Sequence, residues 1–173
     1  MIEREKTYLL KEVPAGLSAC KKRVVLSLYI PADDPHPKLR IRKNGDSFEM
    51  TKKAPVDDNP SICEEQTIKL SEQEFKILNA LPGKRMDKIR VYYPYEGKLL
   101  EIDVYTGALA GLVTVDAEFD DDKTLAQFKM PLFCLADVTC AEWMAGGMLA
   151  GKSYADLEPM LKTYKYHKLL LDV

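Results

Sequence analysis

Net charge is nearly absent from this chain: 25 Lys and Arg stand against 27 Asp and Glu, leaving −2 at neutral pH over 173 residues. That balance removes any global attraction to nucleic acid or acidic membranes, so anion binding has to come from local clustering. Histidine is scarce as well. His36 lies in a proline-rich turn and His167 in the C-terminal tail, and both read as surface residues with no catalytic role. Cys20, Cys63, Cys134 and Cys140 form no Cys-x-x-Cys motif and have no nearby histidine pair, so reduced thiols in the cytoplasm are expected and a zinc site is not. No apolar run approaches the roughly 18 residues of a spanning helix, and the charged opening from Met1 to Lys6 does not suit a signal peptide. Repeats, linkers and low-complexity segments are missing too. With 46% apolar and 30% charged residues, the chain reads as one domain over 1–173 with a substantial core.

What the sequence does have is a set of like-charged pairs two residues apart on stretches that otherwise read as strands. Glu3 and Glu5 flank Arg4, Arg40 and Arg42 flank Ile41, and Lys88 and Arg90 flank Ile89. Glu101 and Asp103 flank Ile102, and Asp116 and Glu118 flank Ala117. Side chains alternate across a strand, so each pair shares one face while the apolar neighbour of most pairs, all but the one around Arg4, takes the other. An open antiparallel sheet with one wet face would account for any single pair. Solvated faces, however, usually mix their charges, whereas here cationic and anionic pairs occupy separate strands. A charged interior costs several kcal/mol per ion unless water, opposite charge or a ligand compensates, which makes a charged lumen a functional hypothesis.

Alternation and turn residues predict strands over 3–10, 22–30, 38–43, 47–53, 61–70, 85–93, 98–105 and 112–119. Asn44-Gly45 joins a hairpin, Pro94 to Gly97 joins another, and 54–60 reads as a polar loop. Ser71 with Glu74 forms a capping box opening a helix over 72–80. Further helices are expected over 121–129, around 142–150, and as a C-terminal tail from about 154. The class is α+β: about eight mostly antiparallel strands able to close into a barrel, with flanking helices.

In that order, Glu3-Arg4-Glu5, Arg40-Ile41-Arg42, Thr51-Lys52-Lys53, Lys88-Ile89-Arg90, Glu101-Ile102-Asp103-Val104-Tyr105 and Asp116-Ala117-Glu118-Phe119 resemble the CYTH proteins, or triphosphate tunnel metalloenzymes. The likeness extends over roughly residues 2–151, with Asp137-Val138-Thr139 and Leu149-Ala150 downstream. This resemblance implies a closed tunnel of eight antiparallel strands that binds a triphosphate. It matches Arg40, Arg42, Lys53, Lys88 and Arg90 to the substrate-binding cations, and Glu3, Glu5, Asp103, Asp116 and Glu118 to the ligands of Mg2+ or Mn2+. Lys53, Lys88 and Glu65 become the catalytic candidates. Arginine offers a planar fork to phosphate oxygens and hard divalent ions choose oxygen ligands, so the chemistry fits independently.

The chain departs from the family pattern at several places. Thr7 stands where the opening motif has a lysine, Cys63 where an arginine is common, Thr67 where a second glutamate is usual, and Trp143-Met144 where Arg-Tyr is common. Tyr92 and Tyr105 are placed near the tunnel mouth without a catalytic role. The implied activity is hydrolysis of a triphosphate, inorganic tripolyphosphate foremost. The alternatives are a binding module that keeps the clamp without turnover, an adenylate cyclase and a thiamine triphosphatase. A small triphosphate is the expected partner, with nucleic acid and membrane excluded and a homodimer as the assembly considered.

Overall fold

The computed structural model describes residues 2–56 and 59–172. Among these residues nine strands form one sheet: β1 (Ile2–Leu10), β2 (Lys22–Ile30), β3 (Leu39–Asn44), β4 (Ser47–Val56), β5 (Asn59–Leu70), β6 (Lys84–Tyr95), β7 (Lys98–Tyr105), β8 (Val113–Glu118) and β9 (Cys134–Asp137). Their order is β5-β4-β3-β2-β6-β7-β8-β1-β9, every pairing is antiparallel, and β5 returns to pair with β1. The pairing of Ile2, Glu3 and Arg4 with Glu64, Cys63 and Ile62 closes eight strands into a barrel. β9 lies outside that ring, on β1 at Tyr8–Leu10, beyond the stretch that β5 covers.

Three features differ from the sequence reading, two of them in the strands. β9 was not expected, and the loop over 54–60 is strand on both sides, with residues 57 and 58 outside the described residues. The helices are α1 (Glu72–Leu78), α2 (Asp122–Gln127), α3 (Gly146–Leu149) and α4 (Tyr154–Thr163). α1 opens with the expected capping box between Ser71 and Glu74. The single helix expected around 142–150 is a 3-10 turn at Glu142–Met144 followed by short α3. Among the described residues no disulfide joins the cysteines, and no helix is long and apolar enough to cross a membrane.

Period-two alternation sorts the strand residues. Tyr8, Val91, Leu100, Ile102, Val104, Val113, Val115 and Ala117 face outward into a core shared with Phe119 and Leu17. Leu28 and Ile41 meet Phe75 of α1 on another flank. A third core holds lumen-side Leu9, Tyr29, Met86 and Tyr105 against Leu109, Leu112, Met144, Leu149, Leu157 and Leu161. The β7–β8 connection and the C-terminal helices thus fill one end of the barrel with apolar side chains. The tail is fastened there by the Tyr166 hydroxyl, which accepts from Val113 N and donates to Gly111 O, both at 2.9 Å.

Candidate active site in the barrel lumen

Cross-strand partners share a face, so the register alone lines the lumen. Arg90 pairs with Arg23 and Asp103, Ser27 with Arg42, Tyr29 with Arg40, and Arg40 with Thr51. Lys53 pairs with Glu65, Glu3 with Cys63, Glu5 with Glu118, and Asp116 with both Thr7 and Glu101. All the residues singled out in the sequence therefore face one interior. The register also brings in Glu49, Thr51, Thr114 and Arg23.

The carboxylates divide into two groups. Glu3, Glu5 and Glu118 offer oxygens that all lie within 4.8 Å of one another, the only such group among the described residues. Burial raises Glu3 above the usual carboxylate value, with Glu5 adding to the rise and Lys53 opposing it; burial, Glu5 and Glu3 do the same to Glu118. Three hard oxygen donors that disfavour one another's charge suit a divalent cation.

Asp103 and Asp116 fall outside that group. Asp103 is fully buried and is held by Arg90, Nε to Oδ1 and Nη2 to Oδ2, both at 2.7 Å, and by Lys88 Nζ at Oδ2. Burial works against its charge, yet Arg90 and Lys88 hold the carboxyl well below the usual range. Asp116 accepts from Thr7 Oγ1 at 2.9 Å and lies 3.4 Å from Arg90 Nη2; burial, Glu5 and Asp103 together push it well above the usual value. Both oxygens of Asp103 are committed to cations, which makes it an anchor for Lys88 and Arg90. Glu101 completes that anchor by pairing with Arg90. Its place two residues from Asp103 was the sequence signal for it.

The other cations are held differently. Arg42 Nε lies 3.1 Å from Glu49 Oε1, a partner the sequence reading did not include. Lys53 pairs with Glu3 and lies 3.4 Å from Glu65 Oε2. Arg40 Nε and Nη2 are buried with no hydrogen-bond partner among the described residues, so its guanidinium is ready for an anion.

At the substituted positions 7 and 67, hydroxyls stand in for charged groups. Thr67 donates to Glu65 at 2.6 Å and meets Thr51 at 3.0 Å, and the Thr7 amide donates to Thr139 Oγ1 at 3.0 Å. Met144 is buried in the end cap and Trp143 lies 6.3 Å from the Tyr164 ring, so this pair serves the cap. Tyr105 also belongs to the closed end and not to a mouth. A second cleft of about 620 Å³ is lined by Lys21, Lys22, Arg23 and Lys43, with Asp46 its only carboxylate among the described residues. Among the described residues, the lumen alone combines a cation set with a carboxylate cluster.

The inorganic triphosphatase of Nitrosomonas europaea is 29% identical to this chain over 142 residues, covering 80% of the chain and 90% of that protein. The crystal structure of an inorganic triphosphatase superposes with a TM-score of 0.62 at 25% identity, over 87% of this chain and 95% of that one. Sequence and fold are thus both similar to those of an inorganic triphosphatase, in line with the resemblance to the triphosphate tunnel proteins. A candidate adenylate cyclase from Bacillus halodurans shares the tunnel fold, with a TM-score of 0.54 at 16% identity over 99% of this chain and 94% of that one. No family model matches the chain.

Proposed function

We propose that this protein hydrolyses the terminal phosphoanhydride bond of an inorganic triphosphate, tripolyphosphate foremost, inside the barrel. The observation that carries the reading is the facing of two charge sets across one lumen: Glu3, Glu5 and Glu118 within 4.8 Å of one another, and Arg40, Arg42, Lys53, Lys88 and Arg90 on the same inward surface. The likeness to an inorganic triphosphatase supports the substrate class.

In this reading Glu3, Glu5 and Glu118 hold Mg2+ or Mn2+, which when bound supplies Lewis-acid polarisation of phosphate oxygens and orients water. Arg40 and Arg42 receive the non-bridging oxygens. Lys88 and Arg90 stabilise the charge that develops as the terminal group transfers, which supplies most of the catalysis in phosphoryl transfer. Asp103 and Glu101 fix those two cations, Asp116 with Thr7 borders them, and Glu65 orients Lys53.

A binder without turnover is the second reading, favoured by the Thr7 hydroxyl standing against Asp116 where the family has a lysine. Phosphate release from tripolyphosphate, thiamine triphosphate and ATP, each with Mg2+ or Mn2+, decides between them. Ion-dependent release from tripolyphosphate above the other two is expected. Tight tripolyphosphate binding without release selects the binder.

A further inference from the structure

Lys53 is where the cation set touches the acidic cluster. Its ammonium is paired with Glu3; burial and Arg40 oppose its charge, and Glu5 and Glu3 together favour it. Three other lumen cations are tied elsewhere, Arg42 to Glu49, Lys88 to Asp103, and Arg90 to Glu101, Asp103 and Asp116, while Arg40 has two buried nitrogens without a hydrogen-bond partner among the described residues. None of those carboxylates belongs to the Glu3, Glu5 and Glu118 group.

We propose that Lys53 is a tethered counter-cation: it partly neutralises the cluster while no divalent ion is bound, is expelled when one binds, and only then serves the triphosphate. The inference rests on the metal and triphosphate reading above. An ammonium on Glu3 occupies ligand oxygens and repels a second cation at the same place. Away from Glu3 the ammonium still has Glu65, 3.4 Å from it in the ion-free geometry, and Arg40 acts on both Lys53 and Glu65. Two adjacent cations beside one carboxylate favour a polyanion. Ion and triphosphate are therefore positively coupled through Lys53, and by linkage each raises the other's affinity by the same factor.

Calorimetric titrations of the whole protein with Mn2+ and with imidotriphosphate, whose P–N–P bridges resist hydrolysis, test this, each ligand alone and with the other saturating. Lys53→Met should bind Mn2+ alone about tenfold tighter than the wild type, about 1.4 kcal/mol. It should bind imidotriphosphate alone almost unchanged, because the lysine is sequestered in that state. With Mn2+ saturating, it should bind imidotriphosphate about tenfold more weakly, by the same conversion. Lys53→Arg keeps the charge and should restore the wild-type pattern, while Lys53→Gln is the second neutral variant should the methionine variant fail to fold. Mn2+ affinity in a folded neutral variant that is equal to or weaker than the wild type overturns the proposal while the lumen reading stands. A wild type that binds neither ligand overturns both.

Discussion

Arg90 grips Asp103 with two parallel hydrogen bonds of 2.7 Å, and the carboxylate they enclose has no solvent exposure. Removing one partner of such a buried pair leaves the other charge uncompensated, which costs about 3–5 kcal/mol. Asp103→Asn is expected to lower the melting temperature by about 6–20 °C for a chain of this size. A variant that melts with the wild type by circular dichroism would show that Glu101 and Asp116 suffice to hold Arg90.

The same carboxylates set an acid limit and an alkaline slope. Asp103 is depressed in the folded state, so its contribution is present above the unfolded value of about 3.9 and is lost as pH falls through the lower folded value. Glu3, Glu101, Asp116 and Glu118 are raised, so what they contribute is present below the unfolded carboxylate values and is lost as pH rises through their elevated ones. The ion-free protein should therefore be most stable in mild acid, and Mn2+ should flatten the decline toward neutral pH. Melting curves without ion that keep rising from about pH 4, the unfolded carboxylate range, to neutrality would contradict this.

Glu118→Gln keeps the side chain's shape and removes one of three clustered charges. Ion-dependent phosphate release should fall by about two orders of magnitude, the upper range for disturbing a metal site. The ion-free fold should be as stable as the wild type or slightly more so, since burial and its neighbours already disfavour that charge. Unchanged release across a Mg2+ titration would take Glu118 out of the site.

Thr7 shares the lumen face with Glu3 and Glu5, and its hydroxyl donates to Asp116. A lysine there would place a charge near the phosphates worth roughly 4 kcal/mol of gross attraction at an effective dielectric of 20, before desolvation. Thr7→Lys is expected to raise phosphate release, or to tighten imidotriphosphate binding where release is absent. A folded variant with both quantities unchanged would place the ligand away from residue 7.

The sequence made β1 to β8 legible because a barrel that buries one face and charges the other imposes strict alternation, and the alternation also said which side chains would meet. β9 was invisible. Cys-Leu-Ala-Asp is too short to show a period, and it is strand only because β1 has an edge free at Tyr8–Leu10. Pro55 and Pro60 argued for a loop, yet the β4–β5 ladder continues through the Pro55 and Cys63 pairing. In the site, shared faces were readable but contacts across the lumen were not. The separation of Asp103 from Glu3, Glu5 and Glu118, and the reach of Lys53 to Glu3, depend on how the ring closes between β5 and β1. Periodicity within one strand contains no information about that closure.

The apolar cap built from Leu9, Tyr29, Met86 and Tyr105 with Leu149, Leu157 and Leu161 turns the barrel from a pipe into a well. In a well, arrival and departure use the same opening. Under the proposed function, the fragment formed deeper cannot leave until the outer one has cleared, and a longer anion is measured by how far it protrudes. In that reading, an apolar floor of this kind sets how deep a polyanion sits and makes its fragments leave by one route.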